Sequence, residues 1–465
     1  MSIARRVLTV LLAVVAACDS SSRPRAQGPN VILICMDTVR ADHVGWNGYT
    51  KHATTPRLDR LAAEALVFAD ATATAGSTRP SVPSFLTGTY PLQHGLYGRE
   101  GDSVAPLADD ANTLAEAFDA AGWHTGAFVY NPQLARGNGF EQGFRTWQDQ
   151  QADALSIRTR AEAWLDELPD DEPFFLYLHF LDAHWPYPIP EEYATKFADA
   201  ATVAPFQGPD SWALITAIGT QERPTSETEL DGLRALYDGG IRYIDDQLAV
   251  FFDELERSGE WNDTVVCVLA DHGEEFMEHG RIGHGHGLWE NLLRVPWIVR
   301  IPGAAAERVD VPVSLVDVFP TLLAAAGVPV PSSNEGIDRL RDRTTRTPIF
   351  AELKEEQSYQ QALRSGEHKL VRRLRRAAGT DPNSPFKREE IAEMVRRGTG
   401  PAARVFDLAT DPGEHDAKQG HELAPELEKA LDGFGKDLLK RVRYRDGERR
   451  EMDAAEVERL RQLGY

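Results

Sequence analysis

The chain has 465 residues, 42% hydrophobic and 26% charged, a globular mixture that excludes collagen-like, coiled-coil and disordered architectures. Lys and Arg number 50 against 72 Asp and Glu, a net charge of −22, which excludes a protein that holds nucleic acid by neutralising phosphates. Three cysteines are too few for a disulfide framework, and two of them, Cys35 and Cys267, sit in apolar runs as buried thiols.

The first element in chain order is an export signal. Arg5 and Arg6 precede an apolar run from Val7 to Ala17, too short to span a membrane. Val15-Ala-Ala-Cys18 resembles the bacterial lipobox, so residues 1–17 are expected to be a lipoprotein signal peptide and Cys18 the lipid anchor. Residues 18–28, rich in Ser, Arg and Pro, then form a tether. The expected location is the bacterial cell envelope, facing the periplasm or exterior. An ordinary signal peptide with a chance cysteine is the alternative.

Asn30–Met36 is a continuous apolar run ending at Asp37, the pattern of a strand buried on both faces of a parallel sheet. Helical spacing follows over 55–66 and 112–121, and strands are predicted over 126–130 and 173–180. Glu229–Ser258 reads as one long amphipathic helix, and Thr264–Ala270 as a further buried strand ending at Asp271. The alternation predicts an α/β fold with a largely parallel central sheet flanked by helices over 29–330. Trp185–Glu229, rich in proline and without clear period, reads as a surface insertion. Strand-like pieces at 347–353, 368–374 and 404–408, and a helix from about 425, predict a smaller α+β subdomain over 331–465.

Asp37 and Asp271 stand at the carboxyl ends of buried strands, where parallel sheets form their ligand crevice. With His272 beside the second they compose a metal site, although a single Asp there is more often a turn former. Four of the 13 histidines (His272, His279, His284, His286) fall in one glycine-rich loop, as metal ligands or proton donors. A solvated loop is the plainer reading. In Gly76–Gly88, Pro80 and Pro83 fit a first helical turn and place Thr78 at a helix start, where free amides favour an anion. Thr78 as a simple cap is the alternative. As a nucleophile its hydroxyl needs a metal or base.

These segments together, with Leu86-Thr-Gly-Thr-Tyr-Pro91, His179-Phe-Leu-Asp-Ala-His184, Arg294-Val-Pro-Trp, Asp317-Val-Phe-Pro and Arg404-Val-Phe-Asp, resemble the sulfatase family of the alkaline phosphatase superfamily. The resemblance implies a metal on Asp37, Asp271 and His272, with Thr78 as nucleophile touching it. It also implies His184 on the ester oxygens and either His284 or His286 beside the leaving group. Asp182 matches a second-metal ligand poorly. Family sulfatases carry Cys-x-Pro-x-Arg, whose cysteine becomes formylglycine; here Thr78 and Val82 replace both key residues, Thr38 replaces a paired acid, and Val129–Gln133 replaces a Lys-x-x-His-type segment.

A threonine has one hydroxyl where formylglycine hydrate has two, so release of the covalent adduct falls to water or an acceptor, a route familiar for phosphoryl transfer. The expected activity is therefore metal-dependent hydrolysis of phosphate or phosphonate esters of a small molecule, glycan or lipid, with Zn or Mn favoured and Ca possible. Sulfate-ester hydrolysis without formylglycine, head-group transfer, and an inactive glycan-binding lipoprotein are the alternatives. Tyr243–Asp246 reads as structural, and Lys369–Arg376 as a solvated basic face or a contact for anionic lipid or substrate.

Overall fold

The structure, a computed structural model, describes residues 27–462 apart from 99–102, 171, 209, 346, 356–357, 377–387, 399–402, 419–420 and 442–448. The expected signal peptide, the anchor Cys18 and the tether to residue 26 lie outside the described residues. Among the described residues no helix is long and apolar enough to cross a membrane.

Eight strands form the central sheet, in the order 307–309, 66–68, 297–300, 264–269, 30–36, 174–180, 124–129 and 146–148. Asn30–Met36 runs parallel to both neighbours, with Val31 opposite Phe175 and Val265, and its residues from Val31 onward are fully buried. Trp297–Arg300 joins antiparallel, so the sheet is mostly parallel with a mixed edge. Apolar side chains on both faces of these strands build one large core.

The long helix spans Glu227–Ser258, opened by a capping box between Ser226 and Glu229. Its Asp245 accepts the amides of Arg57 and Leu58 at 2.9 and 2.8 Å, which orients the Pro56–Ala62 helix as a structural reading of Tyr243–Asp246 requires. That helix stops short of residue 66, because Leu66–Phe68 is claimed by the sheet through pairing with Trp297–Arg300. The insertion is also more ordered than its composition implies. It carries helices at 191–194, 200–203 and 211–219, and buries Trp185, Tyr187, Phe206, Ile215 and Ile218.

Four antiparallel strands, 349–354, 358–365, 368–375 and 404–407, make the C-terminal sheet, with helices Arg388–Arg397 and Ala424–Lys440 against it. The second strand was not expected: Gln360, Gln361 and Arg364 hide its apolar period, yet all three are buried, with Gln361 accepting from Arg372 and Arg364 bonded to Asp70. Lys369–Arg376 is a solvated basic face only in part: Arg373 and Arg375 are exposed, while Lys369 and Arg372 are buried. Lys369, Arg372, Arg373 and Arg376 pair with Glu290, Asp432, Glu355 and Glu390. The last helix, Ala454–Gln462, leaves this subdomain: Arg450–Glu451 pairs with Ser103–Val104, and the helix packs on the Pro132–Leu134 turn.

Candidate active site

Two adjacent parallel strands deliver the first carboxylates. Asp37 follows Asn30–Met36 directly, and Asp271 lies two residues past Thr264–Leu269. The chain turns sharply after Asp37 because Thr38 takes a left-handed conformation (φ 63°), which costs a non-glycine residue energy. Four hydrogen bonds hold it there: its amide to Asp271 Oδ1, its hydroxyl to the carbonyls of Asp37 and Ala183, and Tyr237 to its carbonyl. Gly273 is fixed by close approach, since a Cβ would lie 2.0 Å from the Asn291 carbonyl oxygen.

Asp37, Asp271 and His272 converge in a group able to hold a metal ion, all three fully buried. His272 donates from Nδ1 to the Gly273 carbonyl at 2.9 Å, which turns the lone pair of Nε2 to the carboxylates, 3.7 Å from Asp37 Oδ1 and 3.5 Å from Asp271 Oδ2. Those two oxygens have no hydrogen-bond partner. Buried orphan carboxylate oxygens facing an imidazole lone pair fit a divalent cation. Burial and the neighbouring Asp37 push the Asp271 carboxyl up to about 6. Burial acts on Asp37 the same way, but its bond from His179 and the nearby imidazoles outweigh it and leave the group below the usual carboxylate range. A second grouping, Cys35, His179 and Asp271, is less suited. Both His179 nitrogens are engaged, by Tyr177 at 2.7 Å and Asp37 Oδ2 at 2.9 Å, and burial drives the Cys35 thiol up.

Thr78 opens the buried helix Thr78–Thr87 with Ser77 at the cap position. Pro83 sits in its second turn rather than its first, so the Arg79 carbonyl loses its helical donor. The Ser81 hydroxyl bonds the Asp271 carbonyl at 2.6 Å and ties the helix to the carboxylates. Thr78 Oγ1 thereby lies 3.3 Å from His272 Nε2, 3.5 Å from Asp37 Oδ2 and 3.3 Å from Asn131 Nδ2.

The histidines of the loop differ in their contacts. His284 donates from Nδ1 to Glu274 at 3.0 Å, and its ring centroid lies 4.4 Å from His272 and 4.9 Å from His184. His286 bonds Glu275 at 2.8 Å instead. His279 is turned away, stacked on Trp289 and bonded to the Gly413 carbonyl. Gly285, at φ 77°, lets the loop reverse between His284 and His286, and its amide bonds the Gly76 carbonyl beside the helix start. Burial and His284 bring His184 down to about 4; burial and His272 hold His284 well below its usual range.

Asp182 is not part of the cluster. It accepts the Ala154 amide at 3.0 Å and caps a helix turn, and burial pushes it up to about 7. Three site residues escaped sequence reasoning. Asn131, in the segment that departs from the family pattern, donates to both Asp37 and Thr78. His179 is a polar residue inside an apolar strand, a signal in itself. Glu274, fully buried, shares its loop with the histidines and is pushed up to about 7 by burial.

A cavity of about 420 Å³ lies beside this cluster, lined by Ser77, Arg79, Trp185, Glu274, His284 and His286 among others. The family model described as Sulfatase matches residues 29–328. An arylsulfatase of Clostridium perfringens is 25% identical over 90% of this chain and 95% of its own length. Among solved structures, the phosphonate monoester hydrolase of Agrobacterium radiobacter superposes with a TM-score of 0.63 at 21% identity, covering 89% of this chain and 95% of that one. A 2-O GAG sulfatase superposes at 0.67 and 18% identity, covering 90% and 95%.

Proposed function

The chain belongs to the sulfatase family of ester hydrolases, and from that premise we propose that it cleaves phosphate or phosphonate esters with Thr78 as the nucleophile. The observation that carries this reading is the Thr78 hydroxyl, buried 3.3 Å from His272 Nε2 where the chain has no cysteine to become formylglycine. Asp37, Asp271 and His272 would hold a divalent cation, which when bound would supply the charge that acidifies the hydroxyl and neutralises the ester oxygens, and the imidazole favours Zn or Mn over Ca.

Thr78 Oγ1 attacks phosphorus as its proton passes to solvent, while Asn131 Nδ2 donates to that oxygen. The bond from phosphorus to the leaving oxygen breaks in line, and His284, held at Nδ1 by Glu274 and first taking a proton from solvent at Nε2, passes that proton to the leaving oxygen. His184 lies beside it to contact the ester oxygens. Water then attacks the phosphothreonine or phosphonothreonine, giving a proton to His284, and Thr78 takes a proton from solvent as the P–Oγ1 bond breaks. Phosphorus suits this sequence because clamping of the oxyanions, rather than a second hydroxyl, drives both displacements. The alignment with a protein named arylsulfatase favours a second reading, in which the same threonine hydrolyses sulfate esters.

Protein beginning at residue 19, loaded with Zn, Mn or Ca, tests both against aryl phosphate monoester, diester, phosphonate and sulfate. Turnover of a phosphorus ester should fall at least about a thousandfold in Thr78→Ala with metal content unchanged. Turnover of sulfate alone would transfer the assignment to the second reading, and an undiminished Thr78→Ala would sink both. For location we propose a lipid tether at Cys18 in the bacterial envelope, supported by the Arg5-Arg6 start and the apolar run before it. Incorporation of labelled palmitate should disappear in Cys18→Ser, and retention of label in that variant would overturn the tether.

A further inference from the structure

We propose that the terminal segment 450–460 is a wall of the catalytic pocket and restricts substrates to esters of a compact, flat organic group. The substrate class rests on the hydrolase reading above; the wall itself rests on geometry. Met452, Glu456 and Leu460 line the same cavity as Ser77 and His284, although they lie more than 160 residues further along the chain.

The segment is pinned to the main domain at several points. Its backbone pairs with Ser103–Val104 at Arg450–Glu451. The Arg450 guanidinium bonds the Gly137 carbonyl at 3.2 Å, Asn138 Oδ1 at 3.0 Å and both oxygens of Glu456 at 2.9 and 2.7 Å. Val457 and Leu460 are buried, at 7% and 5% exposure, so the helix is docked rather than laid on the surface.

The insertion supplies an aromatic wall. Trp185 and Trp212 contact each other with ring centroids 4.4 Å apart, and Trp212 remains 40% exposed at the pocket. A large indole left partly wet beside a cavity is a surface that a flat ligand would cover. Arg79 adds a buried guanidinium whose bonds go to the carbonyls of Gln133 and Ala105, with no carboxylate partner among the described residues. At about 420 Å³ the cavity matches a single small organic group. An interior unit of a polymer, with chain leaving in two directions, exceeds that space while 450–460 is in place.

The test compares the full chain with Met452→Ala/Leu460→Ala and with Met452→Trp. Probes are 4-methylumbelliferyl phosphate and sulfate, with phosphorylated and sulfated dextran as bulky counterparts. The full chain should cleave a compact ester and leave dextran intact. The double variant should raise KM for the compact ester about tenfold with kcat within about twofold, and Met452→Trp should raise it at least as much by filling the cavity. Cleavage of dextran at the compact ester's rate, or a KM unmoved in both variants, overturns the proposal. If no ester is turned over, the hydrolase reading fails separately. Quenching of tryptophan fluorescence by 4-methylumbelliferone then decides the wall, which stands if Trp212→Ala and the double variant both weaken binding and falls if neither does.

Discussion

Asp37 is gripped through one carboxylate oxygen by two neighbouring side chains. His179 donates to its Oδ2 at 2.9 Å while Tyr177 bonds the other ring nitrogen, and Asn131 adds a second donor to the same oxygen at 2.7 Å. This leaves Oδ1 alone facing His272, so the outer bonds select which oxygen is offered to a cation. His179→Phe should therefore weaken metal affinity by about ten- to a hundredfold, measured by competition with a chelator, whereas Tyr177→Phe should cost much less. Unchanged affinity in His179→Phe would show that the cluster does not depend on this orientation. Asn131→Leu, which removes a donor to both Asp37 and Thr78, should lower kcat about ten- to a hundredfold while metal content holds.

At the scale of elements, what was legible follows from whether a residue's role is local. Asp37 and Asp271 end strands whose apolar runs announce burial on both faces, so their place in the crevice could be read directly. Asn131 could not be read that way, because its value depends on His124–Val129 lying beside Phe174–Phe180, a tertiary neighbour relation. The same holds for the choice between His284 and His286: two residues apart, they are sorted by which of Glu274 and Glu275 each meets. Ser358–Ser365 was missed because its polar residues are buried, with Gln361 and Arg364 bonded within the fold rather than to solvent. Glu352, on the neighbouring strand, is another such residue, accepting the Leu92 amide at 2.6 Å and the Tyr97 hydroxyl at 3.3 Å. Burial pushes its carboxyl up to about 8. The folded state thus keeps this proton to higher pH than the unfolded chain, and the associated stability, complete below the ordinary glutamate range, drains away as pH rises to about 8. Glu352→Gln keeps the acceptor and removes the titration. Urea unfolding should find it gaining on the unmodified protein by a few kcal/mol, on the order of one per unit of pH, between pH 5 and 9. Parallel stability profiles would refute this.

Across the whole molecule, the C-terminal sheet is coupled to the histidine loop through buried charge. Arg364 and Lys369 stand directly opposite each other on adjacent strands, an arrangement that repels unless acids intervene. Arg364 grips Asp70 with two bonds of 2.7 Å, and Lys369, 1% exposed, sits between Glu290 at 2.8 Å and Glu414 at 2.9 Å. Glu414 also accepts the Glu290 amide, and the neighbouring Gly413 carbonyl accepts from His279 in the histidine loop. Removing Lys369 leaves two buried carboxylates facing each other, with Arg364, 3.5 Å from Glu290, as the remaining counter-charge and none on Glu414 among the described contacts. Lys369→Met should therefore cost about 3–5 kcal/mol, read from the denaturant midpoint, while Glu414→Gln in the same background should restore part of it. Because the chain between His279 and Glu290 carries His284 and His286, the first variant should also raise KM and lower kcat in activity assays, and the second change should recover both. Loss of stability with kinetics untouched would mean that the subdomain supports the fold but does not position the loop.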